Sequence, residues 1–85
     1  MILDKILTAL CSLPFDRDAV IAKLPDDEKL RSSLLRLGIA EQTVIRRVLS
    51  SPFGDPNAYL CRGALISVRK EDAEVIMVFP EVSDE

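Results

Sequence analysis

The sequence contains no histidine and no tryptophan, and only two of its 85 residues are cysteines. The missing imidazole removes the usual general base near neutral pH and a common ligand of zinc and ferrous iron. Cys11 and Cys61 lie too far apart for the CxxC spacing of a zinc or redox site. A nucleophilic cysteine would need an activating base that is absent here. We therefore expect no enzyme activity, no cofactor and no tight metal site, only weak transition-metal binding at most, with both cysteines buried as small apolar residues.

Further absences limit the partners. The longest uncharged run, residues 6–15, is about half of the ~20 apolar residues that a membrane-spanning helix needs. Asp4 and Lys5 interrupt the start of the chain, unlike the apolar region of a secretory signal. The eleven Lys and Arg residues are scattered among fourteen acidic ones, so no basic stripe for nucleic acid forms. No glycine loop for phosphate is present. We expect a cytoplasmic protein without membrane insertion, nucleic acid or intrinsic GTP binding.

What the sequence does contain is enough apolar residues for one small domain. About half of the chain (48%) is hydrophobic but only 5% is aromatic, so the core should be aliphatic. A chain of this length buries roughly 60–65% of the surface that its unfolded form exposes. We expect a single domain over residues 1–85, with its core at about residues 7–79 and a frayed acidic tail at residues 80–85.

Two helices are predicted. Apolar residues recur at helical spacing over Ile2–Leu10, which predicts a short N-terminal helix. A second helix begins after Asp26 or Asp27, either of which can cap it, and carries a leucine stripe. Gly38 follows directly and is expected to end this helix with a positive φ. The stripe is interpreted as core-facing, with partner binding as the alternative; it comprises Leu30, Leu34 and Leu37, with Leu35 beside them.

The rest of the chain indicates short strands. The first predicted strand is Asp18–Leu24 and the second is Thr43–Ser50. In the second strand the alternation of apolar and polar residues breaks at Arg46-Arg47, so either a bulge shifts the register or both faces are partly covered. A turn at residues 51–57 leads into a strand at residues 58–61, and Gly63 makes the next turn. The next strand has Ala64, Ile66 and Val68 on its inward face. A single helical turn follows in residues 69–74, with Ala73 inward. The last predicted strand is the apolar segment Val75–Phe79, which is covered on both faces. Val20, Ala22 and Leu24 are expected to share one face of the first strand. About five strands with tight turns and one helical insertion predict a small closed, mostly β barrel.

The turn after the second strand is the most suggestive surface feature. It places Phe53 between two prolines, with Pro52 before it and Gly54 and Asp55 after it. An exposed aromatic on a rigid turn is a good interface anchor, so these four residues are the predicted partner-binding site. The alternative, which we favour slightly on sequence grounds, is that Phe53 folds back as a lid on the barrel. Residues 69–72 are either a second contact or a solvated turn.

Three stretches also occur in a fixed order: Leu37-Gly38-Ile39, then residues 51–56, then Leu65–Val68 with Arg69, Lys70, Glu71, Asp72 and Ala73 after it. With Gly63 before the third stretch and the apolar residues 75–78 after it, this order resembles the ferrous iron transport protein A (FeoA) family over roughly residues 7–79. One departure is Ala40-Glu41, where the family often has proline and glycine, which puts that loop's shape in question.

The resemblance implies an SH3-like barrel and an accessory role in bacterial ferrous iron uptake. The implied partner is the membrane ferrous iron transporter with its cytoplasmic GTP-binding domain, which would recruit the protein to the inner face of the membrane. The family is also similar to the C-terminal barrel of iron-dependent repressors. The alternative function is therefore a metal- or ligand-sensing regulatory barrel.

Overall fold

The computed structural model describes residues 7–80, which form a mostly β fold with one α-helix of more than two turns. A 3₁₀ helix follows the first strand, and a short second α-helix precedes the last one. Among residues 7–80 no helix is long and apolar enough to cross a membrane. The elements in chain order are β1 (Thr8–Ala9), the 3₁₀ helix (Leu10–Ser12), β2 (Asp18–Lys23), α1 (Glu28–Arg36), β3 (Val44–Ser50), β4 (Asn57–Cys61), β5 (Ala64–Val68), α2 (Lys70–Ala73) and β6 (Met77–Pro80).

The strands form one antiparallel sheet in the order β1-β6-β2-β3-β4-β5, so β1 and β5 are its edges within the described residues. Six strands replace the five or so that the sequence indicated. The additional strand is the two-residue β1, which pairs with β6. This topology confirms the predicted small, mostly β, SH3-like fold with one helical insertion.

One aliphatic core lies against the inner face of the sheet. Alternating residues of the strands point into it, and Leu34 of α1 and Ala73 of α2 close it from outside the sheet. Tyr59 is the only aromatic side chain among the fully buried ones in the described range. The buried set is Leu10, Leu13, Ala19, Ile21, Leu24, Leu34, Ile39, Ile45, Tyr59, Cys61, Ile66, Val68, Ala73, Ile76 and Val78.

The predicted N-terminal helix is wrong in the part that the structure describes. Thr8–Ala9 is a strand and a 3₁₀ helix follows at Leu10–Ser12, while residues 2–6 of the prediction lie outside the described residues. Leu10, the last residue of the predicted helix, is buried by the 3₁₀ helix instead. The pairing of β1 with β6 decides the local structure instead of helical propensity.

Helix α1 begins and ends where the sequence predicts. The Asp27 carboxylate accepts hydrogen bonds from Lys29 N (3.0 Å) and Leu30 N (3.3 Å), which caps the first turn. Gly38 has a φ of 94°, and Ile39 N donates to Leu34 O at 2.9 Å, so the helix closes in a Schellman motif. The leucine stripe is only partly core: Leu34 is buried and Leu30 half-buried, whereas Leu35 and Leu37 are half exposed.

The prediction that Val20, Ala22 and Leu24 share one face of β2 is wrong for Leu24. Ala19 and Ile21 face the core, while Val20 and Ala22 are only half-buried on the other face. Leu24 still reaches the core, because the pairing of β2 with β6 shifts register between Ile21 and Lys23.

Bulges and turns account for the remaining differences. The break in β3 is a bulge, since Arg47 pairs with Tyr59 but Leu49 pairs with Ala58. Ala64 is exposed although Ile66 and Val68 are buried as predicted, because Ala64 directly follows the turn at Gly63, whose φ is 81°. The final strand begins only at Met77, and the preceding Val75 is 45% exposed because residues 74–75 form a turn after α2.

Candidate functional site: the β3–β4 turn and the outer sheet face

The β3–β4 turn, residues 51–56, is held by backbone bonds at its base. Gly54 N donates to Ser51 O at 2.9 Å, and Ser51 N donates to Pro56 O at 3.2 Å. Gly54 has a φ of 84°, a conformation that glycine adopts without the strain that a Cβ would bring. The buried Asn57 side chain donates to Gly54 O at 3.3 Å from beneath. The chain therefore presents one defined turn conformation.

Asp55 connects this turn to α2. Its carboxylate accepts a hydrogen bond from Lys70 N at 2.8 Å, and the α2 N-cap residue, Arg69, provides no side-chain cap of its own. This bond joins two of the three ordered stretches of the sequence at one point.

Phe53 lies at the tip of the turn and is 94% exposed. The lid interpretation is therefore wrong, because Phe53 packs against no core residue. Pro52, Gly54 and Asp55 are exposed beside it, so the four predicted partner-binding residues form one continuous surface. The predicted structural residues lie elsewhere: Gly38 ends α1, Gly63 makes the β4–β5 turn, and Ala73 is buried.

A polar group beneath the turn was not predicted. The Arg47 guanidinium donates to Leu13 O at 2.8 Å and lies 4.2 Å from the centroid of the Phe15 ring. It makes longer contacts to Cys11 O (3.4 Å) and to Asn57 Oδ1 (3.5 Å). Arg47 thereby fixes the segment after the 3₁₀ helix against β3.

The outer sheet face was also missed. We define it as Val20, Val44, Leu49, Ala58, Leu60 and Leu65, which all point away from the core. Four of them remain substantially exposed: Val44 (46%), Leu49 (58%), Leu60 (40%) and Leu65 (61%). The outward face of an antiparallel sheet usually carries polar residues, so this apolar face is unusual. The sequence signal that could have revealed it is the absence of charge in β5, because an uncharged strand can be covered by other groups on both of its faces.

The two cysteines are free thiols, with Cys61 buried and Cys11 half-buried. Burial raises the pKa of the Cys61 thiol, and its Sγ lies 3.5 Å from Gly38 O, the hydrogen-bonding partner of a protonated thiol. Burial also raises the pKa of Tyr59. Within residues 7–80 no three Cys, Asp or Glu side chains converge in a way that could hold a metal ion.

Comparison with known protein families shows which family this chain belongs to. The model of the FeoA domain matches residues 8–80, nearly the whole chain. This chain belongs to the FeoA domain family. No curated protein sequence matches it significantly.

Solved FeoA domains have the same fold. The FeoA protein from Chlorobium tepidum is 27% identical with a TM-score of 0.83, over 92% of this chain and 74% of that one. The FeoA-like protein from Clostridium acetobutylicum is 25% identical with a TM-score of 0.84, over 98% and 95% of the two chains. A manganese-dependent transcriptional repressor shares the fold at 17% identity and a TM-score of 0.81, over 88% of this chain but only 37% of the repressor.

The loop at Ala40-Glu41, where the sequence departs from the family pattern, is closed by backbone hydrogen bonds within the FeoA fold. Gln42 takes the positive φ, 71°, and its N donates to Ile21 O at 2.8 Å. Thr43 N donates to Ala40 O at 3.3 Å, which closes the turn into β3. A non-glycine residue therefore accepts the left-handed conformation, and the loop reaches the same strand.

Proposed function

We propose that this FeoA domain is a non-enzymatic accessory protein of bacterial ferrous iron uptake. It docks on the cytoplasmic part of the membrane ferrous iron transporter, including its GTP-binding domain, and works at the inner face of the membrane. The observation that carries the proposal is the exposed Phe53 on a turn of fixed conformation. Family membership supports the role in ferrous iron transport.

The turn is suited to binding because little conformational freedom remains to be lost. Bonds from Gly54 N, Ser51 N and the Asn57 side chain define its backbone, and the Asp55–Lys70 bond fixes it to α2. A preorganised loop loses less entropy on association than a mobile one. An aromatic anchor in such a loop is typical of the few residues that dominate interface energies.

The position of α2 extends the same surface. Arg69 and Lys70 are both exposed. They lie directly beside the turn because Lys70 N donates a hydrogen bond to Asp55. These cations and the Asp55 carboxylate lie next to an apolar tip, so the complementary surface is an apolar pocket with a charged rim. Rim charges of this kind affect the association rate more than the final affinity.

The test is Phe53→Ala with binding and stability measured on the same protein. Calorimetry against the purified cytoplasmic region of the transporter should show binding roughly thirtyfold weaker, equivalent to about 2 kcal/mol. The melting temperature should stay within about 2 °C of wild type, since the ring contacts no core residue. Leu35→Ala, at a 50% exposed leucine on α1, is the matched control and should bind as wild type.

Two results would contradict the proposal. One is unchanged binding by Phe53→Ala, and the other is an equal loss in both variants, which would mean that any exposed apolar side chain contributes.

The alternative function, a metal- or ligand-sensing barrel, is favoured by the fold it shares with a manganese-dependent repressor. Titration of the reduced protein with Fe(II) or Zn(II) separates the two functions. We expect binding no tighter than the micromolar range, about −8 kcal/mol, because the chain has only two thiols and no imidazole. A stoichiometric nanomolar site would make sensing the better interpretation.

A further inference from the structure

The outer sheet face forms rows of side chains across four strands. Leu60 lies directly opposite Leu65 of β5, and on its other side opposite Arg46 of β3. A second row pairs Leu49 with Ala58, and Val44 pairs with Val20 at the opposite end. Directly opposed residues on one face of a sheet are in contact distance of each other, so these apolar side chains form one surface.

The charged groups beside these rows include one ion pair. Arg46 Nε donates to Asp18 Oδ1 at 2.8 Å, and both side chains remain partly exposed, at 42% and 36%. Within residues 7–80 this is the only hydrogen bond given by the Arg46 side chain. A guanidinium carries five N–H donors in a planar fork, so its terminal amino groups can still receive a second carboxylate.

We propose that the outer sheet face is a dimer interface that binds a second copy of this chain about a two-fold axis. An isologous interface needs a surface that complements itself. An adjacent positive and negative charge meets this need, because the rotation places Arg46 of each copy against Asp18 of the other. The four groups then form one alternating ring, surrounded by the apolar rows of both copies.

Charge complementarity favours a second copy over an unrelated partner. A strongly charged partner would leave one member of the Arg46–Asp18 pair opposed by a like charge, which disfavours association. Strand β5 has no charged residue, so its approach to another copy brings no like charges together. The interaction goes beyond the proposed docking function, and Phe53 is not one of the residues of the outer sheet face.

The first experiment is sedimentation equilibrium of the full chain from about 10 µM to 1 mM. The face is smaller than the roughly 20–30 residues a side of a standard interface, so we expect a Kd on the order of 100 µM. The weight-average mass should rise toward twice the monomer mass. Leu65→Asp should abolish this rise with an unchanged circular dichroism spectrum, while Leu35→Asp on α1, at a leucine of similar exposure, should dimerise as wild type.

The second experiment uses the charge pair. Arg46→Glu and Asp18→Arg each place like charges together, so each variant alone should stay monomeric. In an equimolar mixture every cross-copy contact again joins opposite charges, and the mixture should regain at least half of the wild-type association. This rescue requires a second copy and would not arise if the face bound another kind of protein.

Three outcomes overturn the dimer: a wild-type chain that stays monomeric to 1 mM, a Leu65→Asp variant that dimerises normally, or a mixture that shows no rescue. Capture of a different protein by this face without self-association also overturns it. Phe53→Ala should dimerise as wild type, so the failure of the dimer and the failure of transporter docking are observed separately.

Discussion

Replacing Arg47 tests whether one side chain holds the N-terminal part of the domain in place. In Arg47→Met the apolar stem remains but the guanidinium is lost, and with it the 2.8 Å bond to Leu13 O and the stacking on Phe15. The segment from the 3₁₀ helix to Phe15 would then keep its core packing and its backbone contacts with β3, among them Asp16 N donating to Arg47 O at 2.8 Å. We expect a cooperative but weakened fold.

The magnitude follows from the individual contacts. The bond to Leu13 O is charge-assisted, a class that contributes about 1.5–3 kcal/mol, and stacking on the partly exposed Phe15 ring adds about 0.5–1 kcal/mol. The 3.4 Å and 3.5 Å contacts lie beyond the usual bonding distance and are given no weight. Arg47 Nε is buried without a hydrogen-bond partner among the described residues, and its removal offsets part of the loss. The expected net loss is about 2 kcal/mol.

Thermal and urea unfolding, both followed by circular dichroism, measure this change. A loss of about 2 kcal/mol in so small a domain should lower the melting temperature by roughly 10 °C. The m-value of the urea transition should be unchanged. Arg46→Met is the matched control, because that neighbouring arginine makes a partly exposed surface ion pair, and its loss should be clearly smaller. The reasoning is refuted if the two variants are equally stable.

Two further substitutions test the helix end and the buried tyrosine. Gly38→Ala should destabilise the domain by about 1 kcal/mol, because Gly38 has a φ of 94°; equal urea midpoints for variant and wild type would refute this. Tyr59→Phe should not lower the melting temperature near pH 7, since Tyr59 Oη is buried without a partner in residues 7–80. Because burial raises the folded-state pKa of Tyr59 from its ordinary value of 10.0, wild-type stability should fall as pH rises above 10, and a pH series should show a shallower fall in Tyr59→Phe.

Local signals in the sequence were sufficient where one residue decides the backbone. Asp27, Gly38 and Ile39 define both ends of α1 through bonds that span at most five residues. Ala73 was placed inward correctly because a single turn between two strands leaves only one side chain facing the core. In these places conformational preference and packing agree.

The phase of β2 could not be determined in the same way. Residues 19–22 are Ala-Val-Ile-Ala, which are apolar in both phases of a two-residue alternation. A shift of one residue exchanges the faces, and only the pairing with β3 and β6 selects between them. The same two-sided character conceals the outer sheet face, since β5 is uncharged on both of its faces.

Contacts between distant positions carry the remaining features. Arg47 binds the carbonyl of Leu13, 34 positions earlier, and Asp55 binds Lys70, 15 positions later. Neither pair has a local pattern, because arginine and aspartate at these positions are equally compatible with solvent exposure. Phe53 was misjudged for a related reason: an isolated aromatic predicts burial, and only the bonds at the base of the turn show that its tip projects outward.

The exposure of Phe53 is more informative because the chain has so few aromatic residues. Phenylalanine and tyrosine together number four, and one of them is 94% exposed. Burying such a side chain would contribute about 1.5–3 kcal/mol, a large share of the stability of a small domain. For Phe53 to fold back onto the core, the turn would have to break the hydrogen bonds from Gly54, Asn57 and Lys70 that fix its base. The structure thus maintains an exposed ring at the expense of core stability, as expected if that ring is buried by another protein.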